Sequence, residues 1–211
     1  MSIHFSPVLA AHPRVDRDGF SAVSLELDAA EERASPIAGR NPHQALSAVT
    51  YVFDDSPAEP GRELHGLQLL VHLGSRTHSA APRVVLLAGT EVPEWTSDAE
   101  DRVRVVMGRF RGVVSPLAAH DSLELLDIEL RRGISLPLPD SHAALVYVRS
   151  GRIRIRADGR ERRVAARHAV ALLGAGGGRL TFEAVQTARF LVLSHPEIGL
   201  PGSVHPGVKA A

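Results

Sequence analysis

Short apolar alternation, repeated along most of the chain and broken by Gly, Pro, Asp and Ser, is what most constrains how this protein can fold. Runs of β-branched and alternating residues occupy 20–27, 48–53, 64–73, 84–87, 103–107, 123–130, 144–148, 152–156, 169–173, 180–184 and 189–193, each the length of a strand. Hardly any segment holds apolar residues at helical spacing for three turns, so helices are expected to be short and few. Gly133, Gly151, Asp158-Gly159 and the 174–178 glycine run are spaced as hairpin turns would be. Many short strands joined by tight turns make a sandwich or a barrel. The 211 residues, 44% hydrophobic and only 4% aromatic, suffice for one large β domain or two small ones.

Several function classes drop out on composition. No apolar run reaches the roughly 18 residues of a membrane span, and the first residues lack the basic start and apolar core of a signal peptide, so a cytoplasmic chain with no membrane partner is expected. Cysteine is absent, which leaves His and carboxylates as the only plausible metal donors. Basic and acidic residues balance at 24 each, so nothing in the overall charge draws the chain to nucleic acid. One local excess runs from Arg149 to Arg167. Within it Arg152, Arg154 and Arg156 alternate with Ile153 and Ile155, the period of a strand with one face in the core and one in water. A solvated face is the plain reading, and a docking surface for an acidic partner or a phosphate backbone is the sharper one. The 174–178 glycines are followed by no Lys-Ser or Lys-Thr helix start, so they read as a turn and not a phosphate cradle, and no Gly-x-Ser-x-Gly elbow supports a hydrolase. Pro and acidic residues cluster at 54–61, read as a loop, and at 92–101, read as an interdomain linker with Trp95 as a plug against the junction.

Two segments carry a family resemblance. Asn41-Pro42-His43-Gln44-Ala45-Leu46-Ser47-Ala48-Val49-Thr50-Tyr51 resembles the pirin signature His-Pro-His-Arg-Gly-Phe-Glu-Thr-Val-Thr-Tyr, and Leu64-His65-Gly66-Leu67-Gln68-Leu69-Leu70-Val71 resembles the pirin segment His-Gly-Leu-Gln-Leu-Trp-Val. Downstream, Gly112 to Pro116, Leu125 to Ile128, Leu136 to Pro139 and Val146 to Gly151 run parallel to the pirin C-terminal cupin. The resemblance covers about residues 36–199. It implies an all-β fold of double-stranded β-helix (cupin) barrels, here a truncated N-terminal cupin over 1–90, a linker and connecting strand over 91–111, a complete C-terminal cupin over 112–199 and a tail over 200–211.

The same resemblance implies a single metal in the N-terminal barrel, held by both histidines of the signature and a later His-x-Glu pair. Only His43 stands at a family ligand position. Asn41 replaces the first histidine, and the His-x-Glu stretch is absent between Tyr51 and Leu64. An Asn amide is a poor substitute for imidazole, and one His cannot fill a site that wants three or four donors. His65 and His72 on one strand, His72 with His78, and Glu59 and Glu63 with His43 offer no spacing that rebuilds it. His142 stands where metal-binding cupins carry the first His of a His-x-His motif, but Ala144 holds the partner position, so a turn histidine is expected.

These readings predict a pirin-like regulatory or interaction module that needs no cofactor, with His142, Arg152, Arg154 and Arg156 as contacts for a ligand or partner. The alternatives are an oxygenase resembling quercetin 2,3-dioxygenase with a divalent metal such as iron, and small-ligand binding in the C-terminal barrel. Missing strands would expose a sheet edge around Val49, Tyr51, Leu67 and Leu69, so either a homodimer or an N-terminal strand at 22–27 is expected to cover it.

Overall fold

The structure is a computed structural model that describes residues 91–117, 123–140, 142–173 and 177–195, and six strands between His4 and His72 for which, Phe5 and Tyr51 apart, only the backbone is described. The described residues are almost entirely strand, with no α-helix and no helix long and apolar enough to cross a membrane. The chain divides into two compact units, residues 13–86 with 199–211, and residues 1–12 with 87–198.

The first unit is a four-stranded sheet of β3 (Arg14–Val15), β4 (Phe20–Asp28), β5 (Leu46–Val52) and β6 (Leu64–His72), in the order β3-β4-β6-β5. β6 is central, flanked by β4 and β5. β4 pairs with it in parallel from Phe20↔Leu64 to Asp28↔His72, and β5 pairs antiparallel from Leu46↔His72 to Val52↔Gly66. The N-terminal strand expected at 22–27 therefore lies beside β6, so Leu67 and Leu69 stand on a strand paired on both sides, while β5, with Val49 and Tyr51, is the outermost strand of this sheet.

The second unit holds a ten-stranded sheet whose pairings are all antiparallel. Its strands are β1 (His4–Phe5), β2 (Leu9–Ala10), β7 (Glu94–Thr96), β8 (Arg102–Met107), β11 (Glu124–Leu130), β12 (Gly133–Leu138), β13 (Ala143–Ala157), β14 (Arg160–Ala165), β15 (His168–Leu173) and β16 (Gly178–His195). A separate hairpin joins β9 (Arg109–Phe110) and β10 (Val113–Val114). Two long strands do the organising. The first part of β13 pairs with β15 and its second part with β14, while the late part of β16 pairs with β11 and its early part with β12. β13 and β16 also pair with each other throughout, with register shifts around Ser150 and Arg152. The extra residues there flip the inward parity of β13, so that Val146 and Val148 face the core before the bulges and Ile153 and Ile155 face it after them, all fully buried. Gly151 sits at the bend with φ 77°, and a Cβ there would strike the Thr187 carbonyl oxygen and come within 2.7 Å of the Ala188 Cα.

How sharply β16 bends is clear from Phe182 and Phe190. Eight residues of extended strand span about 26 Å, yet these two rings stack with centroids 5.2 Å apart and 27° between their planes. The strand curls round on itself and the two halves of the sheet close on one apolar core that includes Val103, Leu126, Ile128, Leu136, Leu172 and Val192. Truncating either ring to Ala would cost about 3–5 kcal/mol.

Several sequence boundaries change. Gly151, read as a hairpin turn, lies inside a continuous bent strand. The runs 180–184 and 189–193 are likewise one strand, β16. Asp158 and Gly159, with φ 47° and 73°, do form the β13–β14 hairpin turn, both residues left-handed as a type I′ turn requires. The segment read as a linker supplies β7, β8 and β9. Trp95 on β7 packs against the core of this unit, edge-on to Phe110 at 5.4 Å. The 84–87 run and the 54–61 loop lie outside the described residues.

Candidate functional site

His43, the sole family ligand position, lies outside the described residues, as do Asn41, Glu59, Glu63 and His78. His65 and His72 both belong to β6, opposite Ser21 and Asp28 of β4. Among the described residues no group of three His, Asp or Glu side chains could hold a metal ion.

The backbone N–H of His142 donates to the Pro139 carbonyl at 3.2 Å and its Nδ1 lies 3.2 Å from the Ser194 hydroxyl. Burial lowers its pKa. Burial also lowers that of neighbouring His195, helped by the charge of His142, and raises that of Glu124 against the pull of Arg109. Glu124 and Ser194 face each other across β11 and β16, and Ser194 faces Ala144 across β16 and β13. His142, Ser194 and Glu124 thus form a polar rim on one end of an apolar barrel. Ala144, where a second histidine ligand would stand, is fully buried in that core. A methyl group offers no donor, so the C-terminal barrel does not fit a metal held by a His-x-His motif.

Arg152, Arg154 and Arg156 alternate with buried Ile153 and Ile155, so the strand reading holds and the guanidiniums face outward. They do not stand alone. Arg156 donates to Glu183 Oε1 at 2.7 Å and to Glu161 Oε2 at 3.2 Å. Arg154 donates to Glu183 Oε2 at 3.2 Å, and its Nε lies 3.0 Å from Glu161 Oε1 without the alignment of a hydrogen bond. Arg163 reaches the same Glu161 at 3.6 Å. Loss of solvation pulls the Glu161 carboxyl upward, but the Arg156 hydrogen bond and the charges of Arg154, Arg156 and Arg163 outweigh it and hold the group below its usual range. The carboxylates come from β14 and β16, and only the pairing of those strands with β13 brings them to the arginines.

Two sites escaped the sequence. Asp127 and Arg149 form a buried pair, 3.1 Å from Arg149 Nη1 to both carboxylate oxygens, their side chains 6% and 7% exposed. Buried Asp101 accepts the N–H groups of Arg131 and Arg132 at 2.7 and 2.8 Å, tying the β7–β8 turn to the β11–β12 hairpin. Nothing local in the sequence distinguishes Arg149 from the solvated arginines that follow it.

No family model matches the chain. A pirin-like protein of Arabidopsis thaliana is 31% identical over 142 residues, which are 64% of this chain and 46% of that protein. A Pseudomonas aeruginosa protein, whose name carries a provisional quercetin 2,3-dioxygenase assignment, is 31% identical over 144 residues, 67% of this chain and 49% of that protein. The chain thus spans about half the length of the curated relatives it matches. In fold it is similar to a crystal structure of quercetin 2,3-dioxygenase from Acinetobacter baumannii, with a TM-score of 0.60 and 15% identity over 97% of this chain and 77% of that one. The relatives and the strand architecture agree with the two signature segments: the chain belongs to the pirin family and is built from cupin barrels.

Proposed function

We infer that this pirin-like chain serves as a regulatory or interaction module and not as an oxygenase. The observation that carries this reading is the ligand set: Asn41 and a lone His43 where the family signature has two histidines, and Ala144 buried where a metal-binding barrel would place its second one. A neutral amide and a methyl group cannot replace imidazole donors. The chemistry left to the chain is recognition, through its loops and its outer sheet faces. A homodimer or a protein partner fits that role.

The oxygenase reading draws on the name of the Pseudomonas relative, and small-ligand binding on the polar rim of His142, Ser194 and Glu124. Elemental analysis of untagged protein separates the first from the module. Substoichiometric iron, zinc, nickel and copper are expected, and one tightly bound ion per chain, lost in His43→Ala, would overturn the module reading.

A further inference from the structure

The outer face formed by β14, β13 and β16 is densely charged, and its charges are unequal. Register places Glu161 and Arg163 of β14 beside Arg156 and Arg154 of β13, and Glu183 and Thr181 of β16 on the other side. Arg152 lies opposite Gln186, and Arg179 follows the same alternation as Thr181 and Glu183 toward the start of β16. The face thus sets two carboxylates, Glu161 and Glu183, against five guanidiniums, those of Arg152, Arg154, Arg156, Arg163 and Arg179. Both carboxylates are used by Arg154 and Arg156, while exposed Arg152 and Arg179 have no carboxylate partner among the described residues. Because the chain as a whole is neutral, this positive face is a local feature.

We propose that this face docks an extended acidic segment of a partner protein. The inference rests on the module reading given above and names the surface and the partner that reading leaves open. Three properties select such a partner. Alternate residues of a strand repeat about every 6.6–6.8 Å, so Arg152, Arg154 and Arg156 form a row on one face of β13 whose spacing an extended chain with alternate Asp or Glu reproduces. The shared carboxylates hold Arg154 and Arg156 in place before binding, so less side-chain freedom is lost when a further carboxylate arrives. The neighbours in the face, Ser135, Thr181 and Gln186, are polar, and among the described residues no aromatic ring shares this register to stack a base, which favours an acidic peptide over a single-stranded nucleic acid.

The test is fluorescence anisotropy of the full chain with a labelled dodecapeptide of alternating Glu and Thr, beside its Gln-for-Glu counterpart and an oligothymidylate of similar length. Expected are binding of the Glu peptide that weakens with added salt, little binding of the Gln peptide, and a loss of about tenfold or more in Arg152→Gln/Arg156→Gln. Arg152→Gln alone, which breaks no ion pair, is expected to lower affinity in the same direction and guards against misfolding of the double variant. Equal binding of the Gln peptide, unchanged affinity in the variants, or tighter binding of oligothymidylate would each overturn the proposal. The two readings fail separately: a tightly bound ion removes the module reading whatever the peptide does, and metal-free protein that ignores the peptide removes only this face.

Discussion

Arg149 and Arg156 lie on the same strand, each against a carboxylate, Arg149 reaching across β16 to Asp127 of β11 and Arg156 meeting Glu161 and Glu183 of the strands on either side, yet they are physically different objects. At the first bulge of β13, Arg149 and Asp127 are withdrawn from water on a face that also buries Tyr147, Leu191 and Leu193. Burial raises the Tyr147 pKa against the opposing charges of Arg149 and Arg167. After the bulges, Arg156 is 49% exposed and shares Glu161 and Glu183 with Arg154 in a network open to solvent. The inner side is apolar in both halves. What differs is the outer side, and the comparison teaches that an Arg-carboxylate contact has no fixed energetic worth until its exposure is known.

The sharpest way to break that comparison is to remove one partner from each pair. Asp127→Ala leaves a buried guanidinium without its counter-charge and is expected to cost about 3–5 kcal/mol in urea denaturation. A loss below about 1 kcal/mol would mean that water reaches Arg149 and that the two halves of the strand are alike. Between the extremes stands the inner face. Val146 is fully buried in the core and Leu145 is only partly buried on the other side, so Val146→Ala should cost about 2–3 kcal/mol, more than Leu145→Ala despite the smaller side chain. The reverse order, measured in the same denaturant series, would place the wrong face inward. The smallest effect is expected from Arg156→Ala, about 0–1 kcal/mol, because solvent already screens its contacts. A midpoint shift as large as that of Asp127→Ala would show the ladder to be a structural clamp.

How much of this was legible beforehand depends on whether the signal was local. The 20–27, 64–73 and 123–130 runs announce β4, β6 and β11 because alternation against a core leaves a period of two in the residues themselves. Asp158-Gly159 announces its turn because few dipeptides tolerate two left-handed residues. β14 leaves no such signal, since Arg160, Glu161, Arg162 and Arg163 show no apolar alternation, and in β12 Pro137 weakens the strand pattern and is accommodated because that strand has a single partner in the sheet. β1 and β2 are two residues each, too short for any period, and only their pairing with β15 shows that the N-terminus joins the second unit.

By itself the sequence determined an all-β chain of the pirin family, the position of the outward arginines and the absence of imidazole at Asn41 and Ala144, because each follows from residue identity or from the alternation of a single strand. The tertiary structure decided that Gly151 bends a strand where a turn was expected, that Arg149 is buried while Arg152 and Arg156 are not, and that Glu161 and Glu183 meet the arginines at all. Those outcomes depend on register and on what lies across the sheet, and a strand carries no record of its partners in its own period.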